Sequence, residues 1–117
     1  MAEDESLADG LSDLRRKIDA LDEAIVRLLN ARATCALEIG RVKKQAGLPI
    51  YQPSREAQVL GHVQEINPGP LDDGAVRRLF ERIIDEARRL ERIADGSGGH
   101  DAEFPAAGKP TVEPADG

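Results

Sequence analysis

From Leu11 to Ala46 the apolar residues fall at Leu11, Leu14, Ile18, Leu21, Ile25, Leu28, Cys35, Ile39, Val42 and Ala46, in steps of three and four broken once, at Arg32. A seam of that period is one face of a long α-helix. Ser12 or Asp13 is placed to cap its start. Gly47 and Pro49 end it, because glycine accepts a left-handed turn and proline cannot continue the ladder. The spacing predicts a helix over residues 12–46, about 50 Å long at a rise of ~1.5 Å per residue. That exceeds the diameter of a domain this size, so the helix must protrude or be shared between two chains. A shared helix means a dimer.

Two shorter helices follow. Pro53 and Ser54 open one that carries Val59, Leu60, Val63 and Ile66, and Asn67-Pro68-Gly69-Pro70 stops it. Asp72 or Asp73 can cap the next, whose apolar stripe runs Val76, Leu79, Phe80, Ile83, Ile84, Ala87, Leu90 and Ala94. No segment alternates with period two for long enough to make a strand. The predicted class is all-α, with three helices per chain.

The net charge of −6 over 117 residues conceals an uneven distribution. Residues 1–10 and 95–117 each carry −4, which leaves residues 11–94 at +2. Both ends lack periodic apolar residues, and the second is rich in glycine and proline. Neither can bury enough surface to offset its ordering entropy, so residues 1–10 and 95–117 are expected to be disordered and residues 11–94 to hold the fold. The positive centre favours an anionic partner. A membrane span is excluded, since no run approaches the ~20 apolar residues a spanning helix needs. The acidic start is unlike a secretory signal, so the cytoplasm is the expected location. Cys35, His62 and His100 do not have zinc-ligand spacing, and one thiol makes no internal disulfide.

Three charges interrupt the apolar seams. Arg32 stands where a Leu or Ile is expected, so an internal acid, a register-setting ion pair or an anionic ligand should meet it. Lys43 lies eleven residues on, ~16 Å along the helix and only ~20° around it, so the pair could bracket a small dianion. A solvated lysine near a helix C-terminus is the plainer alternative. Glu91 sits among the apolar neighbours of the last helix. Buried, it would hold its proton and donate a hydrogen bond; exposed, it would pair with Arg88 or Arg92. Arg15 and Arg55 each lie in a predicted first helical turn, where the dipole disfavours a cation, whereas Glu56 beside Arg55 is favoured there. Arg15 is ~25 Å from Arg32 along a straight helix, too far for one small ligand. In an antiparallel pair centred on residue 29, Arg15 of one chain would face Lys43 of the other, and each site would draw on both chains.

These motifs, Leu14-Arg15-Arg16-Lys17-Ile18-Asp19-x-Leu21-Asp22, Arg32, Ile39-Gly40-x-x-Lys43, Pro53-Ser54-Arg55-Glu56, Asn67-Pro68-Gly69-Pro70-Leu71 and Phe80-x-x-Ile83-Ile84, closely resemble the all-helical (AroQ class) chorismate mutases. The similarity covers residues 11 to about 93. It implies an intertwined homodimer of three-helix chains, in the monofunctional form, that rearranges chorismate to prephenate on the way to phenylalanine and tyrosine. The implied reaction is pericyclic and needs no nucleophile, cofactor or metal.

By the same resemblance, Arg32 and the partner chain's Arg15 would bind the substrate carboxylates. Lys43 would contact a carboxylate and the ether oxygen, and Glu56 would take the ring hydroxyl. Arg55 would complete the positive field, and Glu91 would donate to the ether oxygen as a protonated acid. Gln52 stands where relatives often have Asp, and its backbone amide would keep the contact. Ala87 replaces a Ser that some members set against the ring carboxylate. Two alternatives stay open: an isochorismate-pyruvate lyase on the same fold, and a non-catalytic helical dimerisation or regulatory module, including one that docks on another shikimate-pathway enzyme.

Overall fold

The computed structural model describes residues 2–49 and 51–96. Three α-helices follow in order, α1 (Ala2–Ala46), α2 (Pro53–Ile66) and α3 (Asp73–Asp95), with no strand among the described residues. The all-α expectation holds. Of the segment expected to be disordered from residue 95, Asp95 is the last residue of α3 and Gly96 its cap, and residues 97–117 lie outside the described residues.

The start of α1 differs from the sequence reading. Residues 1–10 are expected to lack order and Ser12 or Asp13 to cap, yet the helix is already formed at Ala2. Asp4 and Glu5 place negative charge at the positive end of the backbone dipole, and Leu7 and Ala8 are strong helix formers. Side chains from Asp4 to Glu23 are all exposed, so local helix energetics rather than packing hold this stretch.

The chain divides into two compact units, residues 1–32 and 33–117. The described part of the first is α1 alone. Among the described residues nothing covers its seam: Leu14, Ile18, Leu21, Ile25 and Leu28 are all exposed, Leu28 to 70%. A row of large apolar side chains facing water along one helix is not a finished core.

In the second unit, the end of α1 closes on a glycine turn. Gly47 adopts φ +73°, the Leu48 amide donates to the Lys43 carbonyl at 2.8 Å and the Gly47 amide donates to the Lys44 carbonyl at 3.2 Å. That pattern satisfies the carbonyls a helix end leaves open. Pro53 begins α2, where its missing N–H costs nothing. The Asp72 side chain caps α3 by accepting from the Ala75 amide at 2.7 Å.

Between α2 and α3, Asn67 organises the turn. Its amide donates to the Leu71 carbonyl at 2.7 Å and to Asp73 Oδ1 at 2.8 Å, while its own oxygen accepts from the Gly69 amide. The turn folds α2 back on α3, and Leu60 and Val63 of α2 are the buried residues among those described. The α3 stripe of Val76, Phe80, Ile83 and Ile84 is half-buried. That register leaves the C-terminal half of α3 to present Ala87, Arg88 and Glu91.

Candidate active site

Within the second unit, α1 and α3 approach each other closely at one point. Gly40 has no side chain there, and a methyl group in its place would lie 3.4 Å from Glu91 Cγ and 3.7 Å from its Cδ. The bare glycine thus makes room for a carboxyl group laid against a helix backbone. Glu91 is half-buried, and loss of water pushes its pKa above the ordinary carboxylate range, against the opposing pull of the Lys43 and Arg88 charges. Glu91 is thus partly desolvated, which places it between the buried and the exposed reading of the sequence. The Arg88 guanidinium, named there as a partner for Glu91, is instead bound to other acids.

Arg88 forms the second node. One guanidinium nitrogen pairs with Glu56 Oε2 on α2, another with Asp85 Oδ1 at 2.5 Å one turn back on α3, and its Cζ lies 4.9 Å from the centroid of the Tyr51 ring. A planar fork suits this use, since two carboxylates and an aromatic face are met at once. Arg88 and Glu56 expose 22% and 27% of their side chains, so water screens the pair only in part.

The remaining expected residues are placed less centrally. Gln52 caps α2 through its backbone: its carbonyl accepts from the amides of Arg55 (3.1 Å) and Glu56 (3.2 Å), and its side chain makes no cap. Arg55 is exposed and donates to Gln58 Oε1 at 2.9 Å, which turns it onto its own helix. Ala87 is half-buried on α3. Arg15 and Arg32 belong to the other unit, Arg15 exposed and Arg32 half-buried, and neither has an ion-pair partner among the described residues.

A groove of about 640 Å³ opens beside Glu91 and is lined by Leu37, Gly40, Lys44 and Leu48 of the α1 end and by Ala94 and Asp95 of α3. Lys44 pairs with Asp95 at 2.9 Å. Among the described residues no three His, Cys, Asp or Glu side chains gather to hold a metal ion, and no helix is long and apolar enough to cross a membrane.

The structure thus pairs Arg88 with Glu56 and sets Arg88 and Lys43 within electrostatic reach of Glu91, whereas the sequence reading names Arg88 only as a partner for an exposed Glu91. Arg88 carries no marker in the chain, being one of five arginines between residues 77 and 89. Only the packing of α2 on α3 singles it out.

The family model described as chorismate mutase type II matches residues 14–92, a span that contains both nodes. The chain belongs to that family. A bifunctional chorismate mutase/prephenate dehydratase from Stutzerimonas stutzeri is 46% identical over 92 residues, which cover 74% of this chain and 25% of that protein. The chain therefore spans about a quarter of the length of that chorismate mutase relative. A 4-amino-4-deoxychorismate mutase from Streptomyces pristinaespiralis is 35% identical, covering 78% of this chain and 71% of its own length. Among solved structures, chorismate mutase (form II) from Thermus thermophilus superposes with a TM-score of 0.69 at 38% identity, covering 70% of this chain and 93% of that one. The superposition with a chorismate mutase structure agrees with the three-helix fold described above.

Proposed function

We propose that the chain is a chorismate mutase, an isomerase that rearranges chorismate to prephenate in the cytoplasm as a homodimer. The observation that carries this reading is the half-buried Glu91, held against Gly40 with the Lys43 charge beside it. The rearrangement breaks a C–O bond as a C–C bond forms, with no group transferred to the protein. What a site contributes is a folded substrate pose and donors at the oxygen where negative charge develops. Glu91 with its proton and Lys43 are two such donors. A carboxylate in that position would repel the developing charge, so the raised proton affinity of Glu91 has a chemical use.

The substrate is a dianion. Arg32 meets one carboxylate and Arg15 from the partner chain meets another, a role supported by the lack of an ion-pair partner for either arginine among the described residues. Glu56 accepts from the ring hydroxyl, the Gln52 backbone and the Ala87 methyl shape the wall, and Arg55 adds to the field. The uncovered seam of α1 supports the dimer, since pairing with a second copy would remove Leu14, Ile18, Leu21, Ile25 and Leu28 from water.

The test is direct. Purified protein is incubated with chorismate, the product is identified, and the mass in solution is measured by light scattering. Prephenate formed by a dimer is the expected result. Chorismate that decays no faster than in buffer sinks the reading, and release of pyruvate from isochorismate in place of prephenate formation replaces it with the lyase.

A further inference from the structure

The Glu56 carboxylate is the group that would face the ring substituent of the substrate, and it is not alone: Arg88 takes its Oε2. That leaves Oε1, in a fixed direction, for the ligand. We propose that Arg88 is a positioning residue which makes this site select a neutral ring hydroxyl over a cationic ring amine. The inference rests on the mutase reading above and names the substrate class within it.

A lone, part-buried carboxylate would attract an ammonium group more strongly than a hydroxyl, because a full charge gains more from it than a dipole does. A primary alkyl amine is protonated at neutral pH. Pairing Glu56 with a guanidinium cancels most of that advantage: the hydroxyl still finds an oriented acceptor, while the ammonium also meets the repulsion of Arg88. Selectivity of this kind comes from a repulsive element added to an attractive one.

The other charges around the pair do not undo this. Asp85 binds the far nitrogen of Arg88 at 2.5 Å but exposes 58% of its side chain, so water screens it more than Glu56. Glu91 is on the same face of α3, and burial raises its pKa, which weakens its pull on a cation relative to an ordinary carboxylate. The Lys43 charge from α1 acts on Glu91, and as a cation it too disfavours an ammonium group. The Tyr51 ring, 4.9 Å from the guanidinium carbon, keeps the fork from swinging away.

The ratio of kcat/KM for chorismate to that for 4-amino-4-deoxychorismate is measured for the full chain and for Arg88→Met and Arg88→Lys, after circular dichroism has shown each to be helical with a cooperative melt. The wild-type chain favours chorismate. In Arg88→Met the ratio falls about tenfold, the effect of ~1.4 kcal/mol lost from discrimination. Arg88→Lys keeps the charge and the ratio, while KM for both substrates rises a few-fold because a single ammonium cannot hold Glu56 and Asp85 together. If Arg88→Met does not fold, Arg88→Gln takes its place. A ratio unchanged in the neutral variant, with both substrates slowed alike, overturns the proposal and leaves Arg88 a structural ion pair. A wild-type chain that prefers the amine also overturns it while leaving mutase chemistry intact. A wild-type chain that turns over neither substrate removes the mutase reading and this proposal with it.

Discussion

The Cα of Gly40 on α1 lies against the side chain of Glu91 on α3, with space for a methyl group at 3.4 Å from Glu91 Cγ and for little more. Gly40→Ala therefore makes an ordinary contact and is expected to retain most of the activity. Gly40→Leu must displace the carboxyl group, and a shift of about 1 Å at a catalytic group can cost ~10²-fold in rate. Steady-state kinetics on both variants test this, and a Leu variant with wild-type kcat would separate Gly40 from catalysis.

The pH dependence follows from the direction in which Glu91 moves. Burial raises its pKa in the folded chain, so the protonated donor persists above the ordinary carboxylate range and is lost as pH rises through the raised value. Activity should fall along that limb, and Glu91→Gln, which donates at every pH, should flatten it. Stability has the same sign. Folding binds the Glu91 proton more tightly than the unfolded chain does, so the contribution is full at acidic pH and is lost as pH rises through the raised folded value. Glu91→Gln should thus melt above wild type at neutral pH and close to it in acid. Profiles that coincide for the two proteins would take Glu91 out of the mechanism.

Lys43 is expected to act mainly in the transition state, where the ether oxygen gains charge. Lys43→Met should lower kcat by about 10²–10³-fold, the range for removing one such donor. Lys43→Arg, with a broader and more rigid head group, should rescue only part of it. A change confined to KM would make Lys43 a binding residue alone.

The exposed seam of α1 provides a test of assembly. Leu21→Asp places a charge in the centre of the apolar row, and the burial of each leucine in a dimer is worth about 1.5–3 kcal/mol. The variant should sediment as a monomer and lose activity with it, at substrate concentrations that saturate the wild type. A monomer that remains fully active would show that each chain holds a complete site.

Local caps are testable apart from function. Asp72→Ala removes the acceptor for the Ala75 amide at the start of α3 and should cost about 1 kcal/mol. For a domain of this length that is a melting temperature lower by about 4–8 °C. Kinetics at low temperature should change little, since Asp72 lies at the end of α3 opposite Glu91.

Much of the molecule is local in origin, and that part was legible in the residues alone. Helix existence follows from the three-and-four spacing, and the positions of Gly47, Pro53, Asn67 and Asp72 set where helices end because each acts on backbone groups within a few residues of itself. Family membership was readable for the same reason, since Arg15, Arg32, Lys43, Glu56 and Glu91 keep a fixed order and spacing along those helices. The start of α1 escaped because helix propensity near Asp4 and Glu5 competes with a cap at Ser12 or Asp13, and neither signal includes tertiary cover. What only the tertiary structure decided is which charges meet. Arg88 is indistinguishable in sequence from the arginines around it, and its pairing with Glu56, 32 residues away, exists because the Asn67 turn lays α2 on α3. The room that Gly40 leaves for Glu91 likewise requires two helices to approach across 51 residues of chain. Spacing along a chain encodes neighbours on one helix; the desolvation and charge that tune a carboxyl group come from neighbours on another.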